Sequence, residues 1–158
     1  MKSLVLYYSR TGKTAMTAKA IADKMSGDII EIKDIKGRKG FIGYMKAALD
    51  AMSMKTTPIE PNTVNTANYD VICLGSPIWA GKPAPAINTI VKNSEIRGKD
   101  ILLFVTLGGD NYENAVNSMR KEIESNGGNV IKTIAIVKSG SKTETDIVNE
   151  ITNADIPI

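Results

Sequence analysis

Histidine is absent from this sequence, and Cys73 is its only cysteine. Without histidine, the chain cannot build the Ser-His-Asp or Cys-His arrangements of many hydrolases, and it lacks the side chain best suited to proton transfer near neutral pH. A lone cysteine excludes an internal disulfide, a zinc site built from several cysteines and an iron–sulfur cluster. Redox chemistry in this protein would therefore depend on a bound cofactor.

Long apolar runs and strong charge are also missing. The apolar run at residues 4–8 is soon followed by Arg10 and Lys13, so it is too short for a signal peptide or a membrane span. Twenty basic and seventeen acidic residues give a net charge of +3, spread along the chain. A nucleic-acid-binding protein would show a clustered basic face with interleaved aromatic residues. We therefore expect a cytoplasmic protein that binds neither membrane nor nucleic acid.

The chain is long enough, at 158 residues, to bury a full core, and no repeat or linker divides it. We expect one domain over residues 1–158. Uninterrupted apolar runs at 4–8, 71–74 and 101–105 predict strands that are covered on both faces, as in a parallel sheet. The runs at 29–33 and 130–137 include charged and polar residues, which is typical of edge strands.

Helices are predicted between the strands, where apolar residues recur at the spacing of one helical face. The groups are Ala18, Ile21, Ala22 and Met25; Ile87, Ile90 and Val91; Ala115, Val116, Met119 and Ile123; and Ile147, Val148 and Ile151. Gly27 is expected to end the first helix, Pro83 to set the first turn of the second, and Thr143 to precede the last. Segment 37–55 also has a helical apolar face, and its basic, Met-rich ends suit either packing on the sheet or docking of a partner or second subunit.

This alternation predicts a three-layer α/β fold with a five-stranded parallel sheet between helices on both faces. Right-handed crossovers, with the first, third and fourth strands inside, give the strand order 2-1-3-4-5. Ligands of such sheets bind at the carboxyl ends of the strands where the order reverses, here between strands one and three. The loops at that point read SRTGKT, SPIWAGKPAP and TLGGDNYEN.

The first of these loops is not a triphosphate loop. That motif needs a glycine five residues before Gly12, where this chain has Tyr7 inside the strand. What remains is a strand, the hydroxyls of Ser9, Thr11 and Thr14, a glycine turn and a helix N-terminus. This combination favours a single terminal phosphate, bound by exposed N–H groups and hydroxyls.

The chain resembles the short-chain flavodoxins. Residues 9–14 match the pattern Ser/Thr-x-Thr-Gly-x-Thr, which grips the phosphate of FMN in that family, and GSPIWAG and LGGDNY follow the expected strands. The resemblance covers nearly the whole chain and implies a flavodoxin-like three-layer sandwich that binds FMN. It assigns the phosphate to Ser9, Arg10, Thr11, Gly12, Lys13 and Thr14.

The resemblance also assigns the flavin ring to the second and third loops. Their residues are Ser76, Pro77, Ile78, Trp79, Ala80 and Gly81 in the second loop and Leu107, Gly108, Gly109, Asp110 and Tyr112 in the third. Trp79 is expected to stack on the inner face of the ring, and the Ala80–Gly81 peptide to accept a hydrogen bond from N5 of the reduced flavin. Flavodoxins commonly place a tyrosine three residues after an aspartate, but Tyr112 follows Asp110 by two. Tyr112 therefore either covers the ring or faces solvent in the first turn of a helix.

The function implied by the resemblance is electron transfer between redox proteins through the flavin semiquinone and hydroquinone. The partners would be a reductase and an acceptor, and the protein a monomer or weak homodimer. Two alternatives remain open at this point: an FMN-dependent NAD(P)H:quinone-type oxidoreductase on the same fold, and a binding module that has lost its flavin. Flavodoxins are usually strongly acidic, and this chain departs from that trait.

Overall fold

A parallel sheet of five strands forms the centre of the protein. The computed structural model describes residues 1–35 and 56–157. The described strands are β1 (Ser3–Tyr7), β2 (Asp28–Glu31), β3 (Lys33–Asp34), β4 (Ile59–Glu60), β5 (Val71–Trp79), β6 (Lys82–Pro83), β7 (Asp100–Thr106) and β8 (Asn129–Ile136). The sheet order is β2-β1-β5-β7-β8, with every neighbouring pair parallel. Since β5, β7 and β8 are the predicted third, fourth and fifth strands, this confirms the predicted order. β6 pairs with β5, and β3 and β4 form a separate antiparallel pair.

Helices cover both faces of this sheet, as predicted. Within residues 1–35 and 56–157, the α-helices are α1 (Lys13–Met25), α2 (Pro85–Asn93), α3 (Glu113–Ser125) and α4 (Glu144–Asn153). One core cluster joins Leu4, Leu6, Ile72, Leu74 and Leu103 to apolar residues of α2 and α3. The other joins Val5, Val71, Cys73, Leu102 and Phe104 to residues of α1 and α4. Alternate residues of each strand thus enter opposite layers, because successive side chains of a strand point to opposite faces.

Burial separates the central strands from the edge strands. Residues 101–106 of β7 are all buried, whereas β2 carries Ile29 at 44% exposure and β8 carries Ile131 at 38%. Cys73 lies fully buried in β5, where burial raises the pKa of its thiol to about 12. The thiol therefore stays protonated near neutral pH and is a core group, as the sequence predicts.

Two helix boundaries differ from their predicted positions. α1 ends in a left-handed residue, but this is Ser26, with φ of 49°, rather than Gly27. Gly27 is needed for a different reason, since a Cβ there would collide with the side chain of Ser3. α2 begins at Pro85, while Pro83 lies in β6. Either proline would suit a first helical turn, and the strand pairing decides between them.

The helix predicted within 37–55 lies outside the described residues. In the described part of the chain, no helix has the length and apolar character needed to cross a membrane.

Candidate functional site

Three loops meet at one edge of the sheet, because β1, β5 and β7 are parallel neighbours whose carboxyl ends coincide. We call residues 8–12 the first loop, residues 76–84 the second loop and residues 107–112 the third loop. The hydroxyl oxygens of Thr14, at the start of α1, and Thr106, at the end of β7, are 2.7 Å apart. This hydrogen bond joins α1 to β7, and so it holds the first and third loops next to each other.

The first loop turns at Gly12 and leads directly into α1. Gly12 has a φ of 94°, a left-handed conformation that glycine adopts without steric cost, and its N–H donates to the Ser9 hydroxyl oxygen at 3.1 Å. The Ser9 oxygen that accepts this bond keeps its own proton, which it can donate to an anion. Thr11 is exposed at the tip of the loop. The loop thus presents two hydroxyls beside the start of a helix.

The start of α1 suits an external anion. The N–H groups in the first turn of a helix have no partners within the helix and carry partial positive charge. α4 meets this need internally with a capping box between Thr143 and Asp146, and α3 carries Glu113 in its first turn. The first turn of α1 contains no acidic residue, and within residues 1–35 and 56–157 no side chain caps it. An anion bound at Gly12 would accept hydrogen bonds from these N–H groups.

Arg10, Lys13 and Thr14 are the other residues of the predicted phosphate segment, residues 9–14. Thr14 is 2% exposed, and its hydrogen bond to Thr106 fixes α1 against β7. The Lys13 ammonium donates to the carbonyl oxygen of Lys142 at 2.5 Å, next to the start of α4. Arg10 is partly buried. The positive charge of Arg10 thus lies in the loop before α1, and that of Lys13 belongs to the first residue of the helix.

The second loop, which the sequence predicts only as a loop, is a β-hairpin. β5 continues beyond Leu74 to Trp79, and β6 pairs with it, so that Trp79 lies opposite Lys82. The two residues of the turn, Ala80 and Gly81, have φ values of 47° and 74°, as in a type I′ turn. The left-handed conformation costs alanine about 1–2 kcal/mol, and strain of this kind collects at functional sites.

Several predicted site residues of this hairpin are buried. The Ser76 hydroxyl is fully enclosed, accepts from the Ala84 N–H at 2.9 Å and donates to the Pro77 carbonyl at 2.8 Å. Trp79 is 7% exposed, and its ring meets that of Tyr8 edge to face with 5.6 Å between centroids. Ser76, Pro77 and Trp79 therefore shape the hairpin from inside. Its solvent side is formed by Ile78, Ala80 and Gly81.

The third loop is held against the end of the sheet by its backbone. The Leu107 N–H donates to the Ile136 carbonyl at 3.2 Å, and the Gly109 carbonyl accepts from the Lys138 N–H at 2.9 Å. A Cβ at Gly108 or Gly109 would meet no atom within 4 Å, and neither glycine has a positive φ. Neither crowding nor backbone conformation thus requires glycine at these two positions. The missing side chains instead leave room in front of the loop.

Tyr112 lies directly before α3 and is partly buried against the core on the α2 and α3 side. It is therefore not the solvent-facing residue of the first helical turn that one of the two alternatives describes. Its backbone N–H donates to the Glu113 carboxylate at 3.1 Å. The third loop thus ends at a residue held by packing.

The second and third loops enclose a cleft of about 340 Å³, within the size range of small-molecule sites. Its lining residues are Ile78, Ala80, Gly81, Leu107, Gly108, Gly109, Asp110 and Asn111. Small residues make up half of this lining, so backbone groups can approach a flat ligand closely. The cleft and the anion-suited start of α1 lie at the same edge of the sheet.

Two observations limit the chemistry of this site. In the described part of the chain, no group of three or more His, Cys, Asp or Glu residues could hold a metal ion. Burial and the Glu31 carboxylate raise the pKa of Tyr7, which precedes the first loop, so its phenol stays protonated near neutral pH. The Tyr7 phenol is therefore a neutral group directly before the first loop.

Sequence reasoning missed Thr106, Asn111 and Lys142. Asn111 stands between two predicted residues of the third loop, Asp110 and Tyr112. This position in the sequence could have indicated that it lines the site. Thr106 ends the strand before that loop, but nothing local predicts a bond to Thr14, 92 residues away. Lys142 contributes a backbone carbonyl, for which a side-chain motif gives no signal.

The chain is similar to known flavoproteins over nearly its whole length. A family model described as Flavodoxin matches residues 2–154. A curated relative, the flavodoxin-like domain-containing protein BilS of Clostridioides difficile (strain CD3), is 32% identical over 125 residues. That match covers 79% of this chain and 57% of the relative, so the chain spans little more than half of the relative's length.

Solved structures agree with the family model. A flavoprotein from Lactobacillus acidophilus NCFM, crystallised in complex with FMN, has a TM-score of 0.70 and 28% identity, covering 85% of this chain and 92% of that one. Oxidised flavodoxin 2 from Bacillus cereus shares the fold, with a TM-score of 0.60 and 18% identity over 97% of this chain and 94% of that one. With the family model matching from residue 2 to residue 154, the chain belongs to the flavodoxin family.

Proposed function

We propose that this protein binds FMN at the three loops and transfers electrons singly between redox proteins. Family membership supports FMN as the cofactor, and so does the FMN complex of the similar flavoprotein from Lactobacillus acidophilus. Bound FMN supplies the redox chemistry, while the protein supplies binding and electrostatics. The proposed location is the cytoplasm, and the proposed partners are a reductase and an electron acceptor.

The start of α1 is the observation that carries the proposal. Its first turn has neither an acidic residue nor, within the described chain, a capping side chain, and it follows the hydroxyls of Ser9 and Thr11. We assign the FMN phosphate to these hydroxyls, to the N–H groups at Gly12 and after it, and to the charges of Arg10 and Lys13. In this assignment Thr14 holds the helix in place through Thr106.

The flavin ring is assigned to the cleft between the second and third loops. Gly108 and Gly109 fit this role because a Cβ on either would project into open space that a flat ring could occupy. The Ala80–Gly81 turn is the proposed hydrogen-bond partner of N5, and Asp110 and Asn111 line the same cleft. Ser76, Pro77 and Leu107 support the loops, and Trp79 and Tyr112 border the site through packed side chains.

A direct test is to titrate apo-protein with FMN, riboflavin and FAD and to follow the flavin fluorescence. FMN should bind most tightly, because the first loop is shaped for one terminal phosphate. Thr11→Ala should weaken FMN binding by about 1–3 kcal/mol, since it removes a hydrogen bond to a charged group, and should leave riboflavin binding unchanged. Equal affinity for FMN and riboflavin would refute the phosphate assignment.

The alternative function is an FMN-dependent NAD(P)H:quinone-type oxidoreductase. One observation favours it: a second cleft, lined mainly by residues with polar side chains, adjoins the flavin cleft at the Ala80–Gly81 turn. A spectroelectrochemical titration separates the two functions, because a carrier should show two resolved one-electron steps. A single two-electron step, together with steady NADPH oxidation in the presence of a quinone, would favour the enzyme.

A further inference from the structure

A second cleft, of about 610 Å³, adjoins the proposed flavin cleft. It lies between the Ala80–Gly81 turn and one face of α3, and its lining residues are Ala80, Gly81, Lys82, Asn114, Asn117, Ser118 and Lys121. Ala80 and Gly81 line both clefts, so the two clefts adjoin at this turn. A ligand in the second cleft would therefore lie directly beside the site assigned to the flavin.

The chemistry of this cleft is that of an anion site. Its polar side chains offer two ammonium groups, two carboxamides and a hydroxyl, all of which can donate hydrogen bonds, and none of its lining residues is acidic. The donors come from two elements, since Lys82 is in β6 and the others are on α3. Asn114, Asn117 and Lys121 follow the spacing of one helical face.

The two lysines are not neutralised by neighbouring carboxylates in the described part of the chain. Within residues 1–35 and 56–157, none of the ion pairs includes Lys82 or Lys121. Other cations of the same region are engaged: Arg120 pairs with Glu124, and Lys92 pairs with Glu122. Glu122, which follows Lys121 directly, is the partner of Lys92, and Glu113 at the start of α3 accepts from the N–H of Tyr112.

We infer that this second cleft binds a small organic molecule with at least two negative charges, as carboxylate or phosphate groups, beside the flavin. The inference rests on the proposed function in one respect: a ligand in this cleft would take part in electron transfer only if FMN is bound beside it. The volume fits a small molecule. Five of its seven lining residues carry polar or charged side chains, which favours a polar ligand.

The test is a titration of FMN-loaded, ¹⁵N-labelled protein with citrate at constant ionic strength, followed by NMR. Saturable shifts are expected at the amides of Gly81, Lys82, Asn114 and Asn117. The variant Lys82→Gln/Lys121→Gln should weaken citrate binding at least threefold, because exposed charge interactions are modest individually but add when two are removed.

A matched control is Lys19→Gln/Lys132→Gln, which changes the net charge equally at two surface lysines outside both clefts. This control should bind citrate as the unmodified protein does. The inference would be overturned if citrate caused no amide shifts at the cleft residues. It would also be overturned if the Lys82/Lys121 variant and the control lost citrate affinity equally. A short glutamate peptide that binds the cleft when citrate does not would also overturn it, and would identify a protein-docking surface instead.

FMN affinity, measured on the same variants, separates this inference from the proposed function. Lys82→Gln/Lys121→Gln should bind FMN normally, because neither lysine lines the flavin cleft. Failure of the unmodified protein to bind FMN would refute the proposed function. In that case, the citrate titration of the apo-protein would still decide whether the cleft binds anions.

Discussion

Thr14 and Thr106 form a buried hydroxyl pair, 2.7 Å apart, between the start of α1 and the end of β7. Thr106→Val keeps the shape of the side chain but leaves the Thr14 hydroxyl without this partner, which costs about 1–3 kcal/mol of unfolding free energy. We expect the same change to weaken FMN binding several-fold, because the start of α1 is then held less firmly. Chemical denaturation and FMN titration measure the two effects.

Thr89→Val is a control for this prediction. Thr89, in α2, is also a buried threonine whose hydroxyl donates to the carbonyl of Thr57 at 2.9 Å, and it lines neither cleft. It should lose stability while FMN affinity stays constant. If Thr106→Val behaves in the same way, Thr106 stabilises the fold without positioning the phosphate site.

Trp79 is the sole tryptophan, and only 7% of its surface is exposed. This burial favours a role in packing the protein interior over stacking on the flavin ring. Trp79→Phe should lower the free energy of unfolding by about 1–3 kcal/mol, since it leaves space beside Tyr8. FMN affinity should change less than threefold if the ring contributes through packing. A tenfold or greater loss of FMN affinity would instead support the stacking role that the family resemblance implies.

At the scale of elements, the hairpin of β5 and β6 presents Gly81 with φ of 74° to open space. Gly81→Ala should cost about 1 kcal/mol of stability, because the left-handed conformation is strained for alanine. It should also weaken FMN binding, since the turn lines the flavin cleft. The measurements are denaturation and FMN titration.

Gly98 provides a matched control for this hairpin prediction. It has φ of 72°, a Cβ there would also meet no atom within 4 Å, and it precedes β7 at the opposite edge of the sheet. Gly98→Ala should lose similar stability and keep its FMN affinity. Equal FMN affinities in the Gly81→Ala and Gly98→Ala variants would show that Gly81 does not contribute to FMN binding.

The capping box at α4 makes part of the stability dependent on pH. Hydrogen bonds from the Thr143 backbone and side chain lower the pKa of Asp146, so its carboxylate stabilises the folded state above its unfolded pKa. This contribution is lost as pH falls through the folded pKa. Asp146→Ala should therefore be less stable than the unmodified protein at pH 7, and the difference should shrink in acid. A constant difference from pH 7 to pH 2 would contradict the capping role.

At the scale of the whole molecule, the net charge of +3 bears on the redox potentials. The second electron adds negative charge near the ring, so it is opposed by carboxylates and favoured by cations. A unit charge about 10 Å away contributes roughly 0.4–1.7 kcal/mol at an effective dielectric constant of 80–20, or tens of millivolts. We expect the second one-electron step to be less negative than in acidic flavodoxins and to depend on salt.

Asp110→Asn tests this electrostatic argument, because Asp110 lines the flavin cleft. In this variant, the potential of the second one-electron step should rise by about 20–70 mV, because one nearby negative charge is removed. Asp155→Asn is the control, since Asp155 is exposed and pairs with Lys132 away from the cleft. Equal shifts in both variants would show that total charge, not local charge, sets the potential.

The sequence by itself determined the layers, the strand order and the loops that meet at the site. Uninterrupted apolar runs identified β1, β5 and β7 as central, and helical periodicity identified the buried faces, including Ala115, Val116, Met119 and Ile123. These features could be predicted because each depends on residues close in the chain. The motif of the first loop is likewise contained within six consecutive residues.

Only the tertiary structure decided which way the side chains of those loops turn. Trp79 packs on Tyr8, Ser76 closes the base of a hairpin, and Thr14 meets Thr106, so three expected ligand contacts have core partners. Pro85 rather than Pro83 begins α2, because β6 takes Pro83 into a strand pair. Such choices depend on contacts between residues far apart in the chain, and local periodicity carries no information about them.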